Sequence, residues 1–289
     1  MSQPAASLQL RPAPPPPAAA GQPLAAQPHI LVEGVDKRFA IPGGEIVALK
    51  DIDLAINRGE FVCLLGPSGC GKSTLLNAIA GFSAPSRGQV QVEQRTVTAP
   101  GPDRGMVFQE YALFPWMTVA QNVAFGLEIK GMPRRAIEPR VAGLLAMLKL
   151  TEFRDRFPKD LSGGMRQRVA IARVLALDSP VMLMDEPFGA LDALTRRSLQ
   201  DELLRIWAET GKTIVFVTHS IEESIYLADR IVVLTYRPGT VKRDLRVELP
   251  RPRDSSSAAF NSLKRELSAL VTAEQHRFEA VEMTGLTTD

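Results

Sequence analysis

The sequence predicts an α/β fold with a parallel sheet at its core, and three observations carry that expectation. Short apolar runs alternate with helical patterns along most of the 289 residues. The runs at 180–184 and 213–218 are continuously apolar, the pattern of strands buried on both faces. A third run, FVCLL, passes through a glycine-rich turn into a helical pattern.

The elements follow in order. Residues 29–39, HILVEGVDKRF, read as an edge strand, and 60–65 as a buried strand. A helix is expected at 72–80 and a short strand at 105–108. From about 110 to 160 only helical patterns and prolines occur, which suggests a helical insertion into the core. Helices over 165–176 and 194–210 separate the last strands. After Pro250, RPRDSSS reads as a linker. Phe260, Leu263, Leu267 and Leu270 then share one helical face, with Ser256 or Ser257 as the cap, as in a helix packed on the domain surface. Residues 1–28, rich in Pro and Ala, are expected to form a disordered tail.

Composition sets limits on function. Hydrophobic residues make up 45% and charged residues 23%, and the formal net charge is +2, so no bias points to nucleic acid. No apolar run reaches the ~18 residues of a membrane span, and no secretory signal is expected. The 2 cysteines, Cys63 and Cys70, suggest neither a disulfide framework nor a metal site, and a reduced, cytosolic location is the default.

The turn itself is Gly66-Pro67-Ser68-Gly69-Cys70-Gly71-Lys72-Ser73, which fits the P-loop pattern. A chance glycine-rich turn would lack the strand before it and the helix after it. The glycines let successive backbone N–H groups converge on phosphate oxygens. Lys72 is suited to the β- and γ-phosphates and the Ser73 hydroxyl to Mg²⁺. Further on, VMLM ends in Asp185-Glu186. A buried parallel strand delivers its last residues to the edge where ligands bind, so Asp185 is suited to Mg²⁺ and Glu186 to orienting the attacking water. His219 ends the next apolar run and is expected at the same edge. Gln109 ends GMVFQ, where its amide could reach both the ion and the water. A strand that simply ends in a solvated acid, amide or imidazole is the plainer reading of each residue taken alone.

The run LSGGMRQRVAIARVLA, residues 161–176, resembles the signature of ABC transporter nucleotide-binding subunits. The P-loop, Gln109, this signature, Asp185-Glu186, Ala190-Leu191-Asp192 and His219 follow in that family's order over about residues 29–250. The resemblance implies a P-loop NTPase fold with a RecA-like parallel sheet core, an N-terminal antiparallel β subdomain and an inserted helical subdomain. It implies ATP and Mg²⁺ as ligands, with residues 66–74 (Gly66 to Ser73, then Thr74) around the phosphates and Phe39 over adenine. Physically, Ser162, Gly163 and Gly164 start a helix, where backbone N–H groups and a hydroxyl favour an anion. By the resemblance they close over ATP held by a second copy, in a head-to-tail dimer with Asp192 between the two sites. The resemblance also implies a membrane permease docked on Tyr111, Phe114, Trp116 and Met117, and a position on the cytoplasmic face of the inner membrane. A substrate-binding protein would act indirectly, from outside the membrane. Within the family, Met165-Arg166-Gln167-Arg168 and YRPGTVKRDLRVELPRPRD look most like the ATPases of nitrate, sulfonate, taurine and bicarbonate importers. An exporter subunit, a transporter of another solute, and a non-transport ABC ATPase are the alternatives. A P-loop phosphotransferase leaves LSGGMRQR unexplained.

Overall fold

The computed structural model describes residues 27–285, with side chains through residue 277. Most of the tail expected at 1–28 therefore lies outside the described residues.

The chain opens with long strands β1 (Ile30–Ile41) and β2 (Gly44–Ile56), then the five-residue β3 (Phe61–Leu65). Helix α1 (Lys72–Ala80) follows, then β4 (Arg87–Val92), β5 (Arg95–Thr96) and β6 (Arg104–Val107). Helices α2 (Val119–Ile129), α3 (Arg134–Met147) and α4 (Gly163–Ala176) come next, with two short 3₁₀ turns between the last two. The remainder alternates: β7 (Val181–Asp185), α5 (Ala193–Thr210), β8 (Thr213–Thr218), α6 (Ile221–Leu227), β9 (Arg230–Leu234) and β10 (Val241–Arg246). Helix α7 (Ala258–Gly285) ends the described chain.

Two sheets form. One is antiparallel in the order β2-β1-β4-β5; the other has the order β10-β9-β3-β8-β7-β6, parallel except for β10. The expected edge strand is therefore corrected: β1 is flanked by β2 and β4 and is internal. Its second partner lies some fifty residues downstream, beyond the reach of local pattern. The six-stranded sheet divides the core by the period of two along each strand. Phe61, Cys63 and Leu65 face the cluster under α4, α5 and the helical insertion. Val62 and Leu64 face the other cluster, with α1 and the antiparallel sheet. Both cysteines are buried and free.

The expected linker is also corrected. Arg253 is buried, and its guanidinium donates to the carbonyls of Ile225 and Ala228, each at 2.6 Å, and of Leu249 at 3.1 Å. Arg251 bonds Asp229 at 2.5 Å and lies over Trp207. This segment is a staple across the end of α6, because a buried cation must find acceptors and the frayed carbonyls there supply them. Ser257 caps α7, accepting from the Phe260 amide at 3.3 Å, and Phe260 and Leu267 are buried as the helical face predicts.

Candidate functional site

The turns after β3 and β7 meet at a cavity of about 390 Å³, and His219, at the end of β8, lies beside it, lining a separate small pocket with Glu186. It is lined by Phe39, Ser68, Gly69, Gly71, Lys72, Ser73, Thr74 and Glu186, together with Ile46, Ala48 and Arg237. The parallel order brings the P-loop after β3 close to the acids after β7, two strands away.

The loop's shape is dictated by close approach. Gly71 caps α1 at φ +96, and a Cβ there would stand 2.6 Å from Leu49 Cδ2 and 2.9 Å from the Ala48 carbonyl oxygen. Only glycine fits both the left-handed backbone and the space. Lys72 is 4% exposed, and its ammonium donates to the carbonyls of Gly66 at 2.8 Å and Pro67 at 2.9 Å. Cys70 turns its thiol into the core, where burial pushes its pKa up. Its sulfur also lies 3.8 Å from the Lys72 ammonium.

Below the loop, the Ser73 hydroxyl donates to Asp185 Oδ1 at 2.8 Å. Burial raises the Asp185 pKa; the Ser73 hydrogen bond opposes that rise and the neighbouring Glu186 charge adds to it. A serine hydroxyl and a half-buried carboxylate held this close suit a small hard cation. No cluster of three His, Cys, Asp or Glu able to hold a metal occurs among the described residues.

Glu186 has φ +43, an uncommon backbone for a residue with a side chain. Its amide donates to the Val217 carbonyl at 3.0 Å, pinning the turn to β8. Its Oε2 lies 2.9 Å from His219 Nδ1. Behind His219, buried Glu223 accepts from the Thr218 hydroxyl at 2.5 Å, and that hydroxyl accepts from the Ser220 amide at 3.0 Å. Sequence reasoning missed Glu223, whose only signal was its place in the first turn of α6.

Phe39 is 43% exposed and so is not a core side chain, and the Lys37 ammonium lies 5.1 Å from its ring centroid. Gln109 is exposed in the turn after β6 and does not line this cavity; the strand ends at Val107, short of the expected residue. Arg237 does line it and was not anticipated.

The signature residues sit apart from this cavity. Ser162 is exposed and caps α4, accepting from the Met165 amide at 3.3 Å. Gly164 is buried, with space for a Cβ closed by Thr195 at 2.5 Å. Asp192 is exposed and caps α5 through the Thr195 amide at 3.0 Å, a bond that lowers its pKa. Next to these, the expected aromatic patch is built around Asn122. That buried amide accepts from the Phe114 amide at 2.9 Å and donates to the Met117 carbonyl at 3.0 Å. Trp116 stands 69% exposed beside Phe114, their centroids 5.6 Å apart.

Residues 49–189 match the family model described as ABC transporter. A nitrate import ATP-binding protein of Synechocystis is 46% identical over 238 residues, 82% of this chain and 90% of that one. A taurine import ATP-binding protein of Roseobacter denitrificans is 48% identical over 219 residues, 75% of this chain and 82% of that one. Among solved structures, a dimeric post-hydrolysis state of an ATP-binding cassette bound to ADP and Pi aligns with a TM-score of 0.68 and 35% identity. It covers 76% of this chain and 100% of that one. With a P-loop cavity, paired acids and likeness to such relatives over most of its length, the chain belongs to the ABC transporter family, among its ATP-binding proteins.

Proposed function

We propose that this chain is the ATP-hydrolysing subunit of an importer for a small anion of the nitrate, sulfonate, taurine or bicarbonate type. ATP hydrolysis coupled to transport is the activity of the family to which the chain belongs. The observation that carries the site reading is that two residues lining the cavity, Ser73 and Glu186, are bonded to Asp185 and His219 respectively.

Phe39 stacks on the adenine, and the backbone amides of residues 66–74 and the Lys72 ammonium take the phosphates. Ser73 and Asp185 would hold Mg²⁺, whose charge would offset that building on the phosphates, and the Gln109 amide, which lies off the cavity here, would reach the ion only on a movement of its turn. Glu186 holds the attacking water in line with the γ-phosphate, and His219 fixes the Glu186 carboxylate and faces the same phosphate. The nucleotide-binding domain spans residues 29–250, with a helical insertion at about 110–165.

The signature lies outside the cavity, which supports a site completed by a second copy in head-to-tail arrangement. Ser162, Gly163 and Gly164 of each copy cover the other's γ-phosphate, and Asp192 lies between. The exposed Trp116 beside Phe114 supports docking of a separate permease. No helix among the described residues is long and apolar enough to cross a membrane; the proposal places the subunit at the cytoplasmic face through its docking on the permease.

Deletion of the gene, followed by uptake of labelled nitrate, taurine, sulfonate and bicarbonate, tests the reading. Loss of one uptake, restored by the wild-type chain and not by Glu186→Gln, is expected. Unimpaired uptake of all four would overturn the solute assignment. Failure of the chain to co-purify with a multi-span membrane protein would overturn the subunit assignment.

A further inference from the structure

Arg237 enters the cavity from a part of the chain that no phosphate-binding motif covers. It follows β9, and β9 lies beside β3, so the loop after one strand meets the loop after the other. Its Nε lies 3.4 Å from the Gly69 carbonyl oxygen, across the outer rim of the P-loop. No ion pair engages its guanidinium among the described residues. The Lys72 ammonium, by contrast, is already bonded to two loop carbonyls.

The loop carrying Arg237 is held from three sides. Against β2, Gly239 donates to the Ala48 carbonyl at 2.9 Å and accepts from the Lys50 amide at 3.0 Å. Against the P-loop, Gly239 packs so closely that a Cβ would run into the Cys70 carbonyl. Against α7, the Tyr236 amide donates to Glu274 Oε2 at 3.0 Å. Glu274 is 1% exposed and follows Phe260 and Leu267 at seven-residue spacing, on the buried face of the helix. Its other oxygen meets Lys242 at 2.7 Å. A carboxylate is buried this far only when its bonds are made, so its place at Tyr236 is a strong constraint on the loop.

We propose that Arg237 is a nucleotide-binding residue, a second cation for the polyphosphate, and that Glu274 on α7 is its positioning residue. This rests on the reading of the cavity as the ATP site. A guanidinium offers several donors in a rigid fork, the form suited to phosphate oxygens.

Titration of the purified chain with MgATP, MgADP and adenosine, followed by nucleotide fluorescence or calorimetry, tests it. Arg237→Ala and Arg237→Gln should each weaken MgATP and MgADP about tenfold and leave adenosine unchanged, the size expected for a charge-assisted bond. Arg237→Lys should recover most of the loss. Glu274→Gln should weaken MgATP about threefold alone and not at all in the Arg237→Ala background, a coupling that a merely structural role would not produce. MgATP affinity within twofold of wild type in both Arg237 variants, or an equal loss for adenosine, would overturn the proposal while leaving the site reading intact. Additive losses in the double variant would overturn the role of Glu274. Absence of MgATP binding by the wild-type chain would overturn the site reading, and this proposal with it.

Discussion

At the start of α1, Gly71 is locked at φ +96 with Leu49 and Ala48 against it, and the cavity in front is lined by β2, the P-loop and β7. At the start of α4, Ser162 is exposed, Gly163 has Tyr111 and Leu191 more than 3 Å from where a Cβ would stand, and neither lines that cavity. Both are glycine-bearing helix starts suited to an anion. The first lines a cavity formed by its own fold, whereas the second lies off that cavity with Ser162 exposed. The contrast teaches that one glycine-bearing helix start faces a cavity built by its own chain and the other does not, the difference on which the proposed two-copy site rests.

The contrast can be broken most sharply at Glu186. Glu186→Gln should retain MgATP binding and lower phosphate release about a hundredfold or more, the range for loss of a general base. It should also accumulate an ATP-dependent dimer on size-exclusion chromatography. Hydrolysis at the wild-type rate would remove Glu186 from the reaction.

Ser162→Arg separates the two helix starts. Turnover should fall at least tenfold because a bulky cation blocks the exposed helix start and, with it, the two-copy closure; the figure is of the order seen for loss of one positioning contact. Binding of the first nucleotide, measured on the monomer, should stay within about twofold, since Ser162 lies off the cavity. Unchanged turnover would show that one copy suffices.

The smallest effect compares glycines. Gly71→Ala should cost about 1–3 kcal/mol in chemical denaturation, from a left-handed backbone and a Cβ driven toward Leu49 and Ala48. Gly163→Ala, with ordinary helical backbone and contacts of 3.2 Å to the Tyr111 hydroxyl and 3.3 Å to Leu191, should cost less than about 1 kcal/mol. Equal costs would mean that the two starts are equally constrained and that the comparison rests on exposure alone.

Local chemistry was legible in the residues themselves. The helix at 72–80 and the strand at 213–218 fall where the pattern puts them, because a P-loop turn and a continuous apolar run carry their own boundaries. Asp185 and Glu186 meet the P-loop, and His219 meets Glu186, because strands of a parallel sheet end on one side, a rule that needs no coordinates. Pairing across long stretches of chain was decided by the tertiary structure alone. It made β1 internal, turned RPRD into a staple on α6, stopped β6 short of Gln109 and carried Arg237 to the rim of a loop 168 residues before it. The reason is physical: a backbone pattern records which face of an element is buried, whereas the neighbour it is buried against is chosen by the closure of the whole sheet.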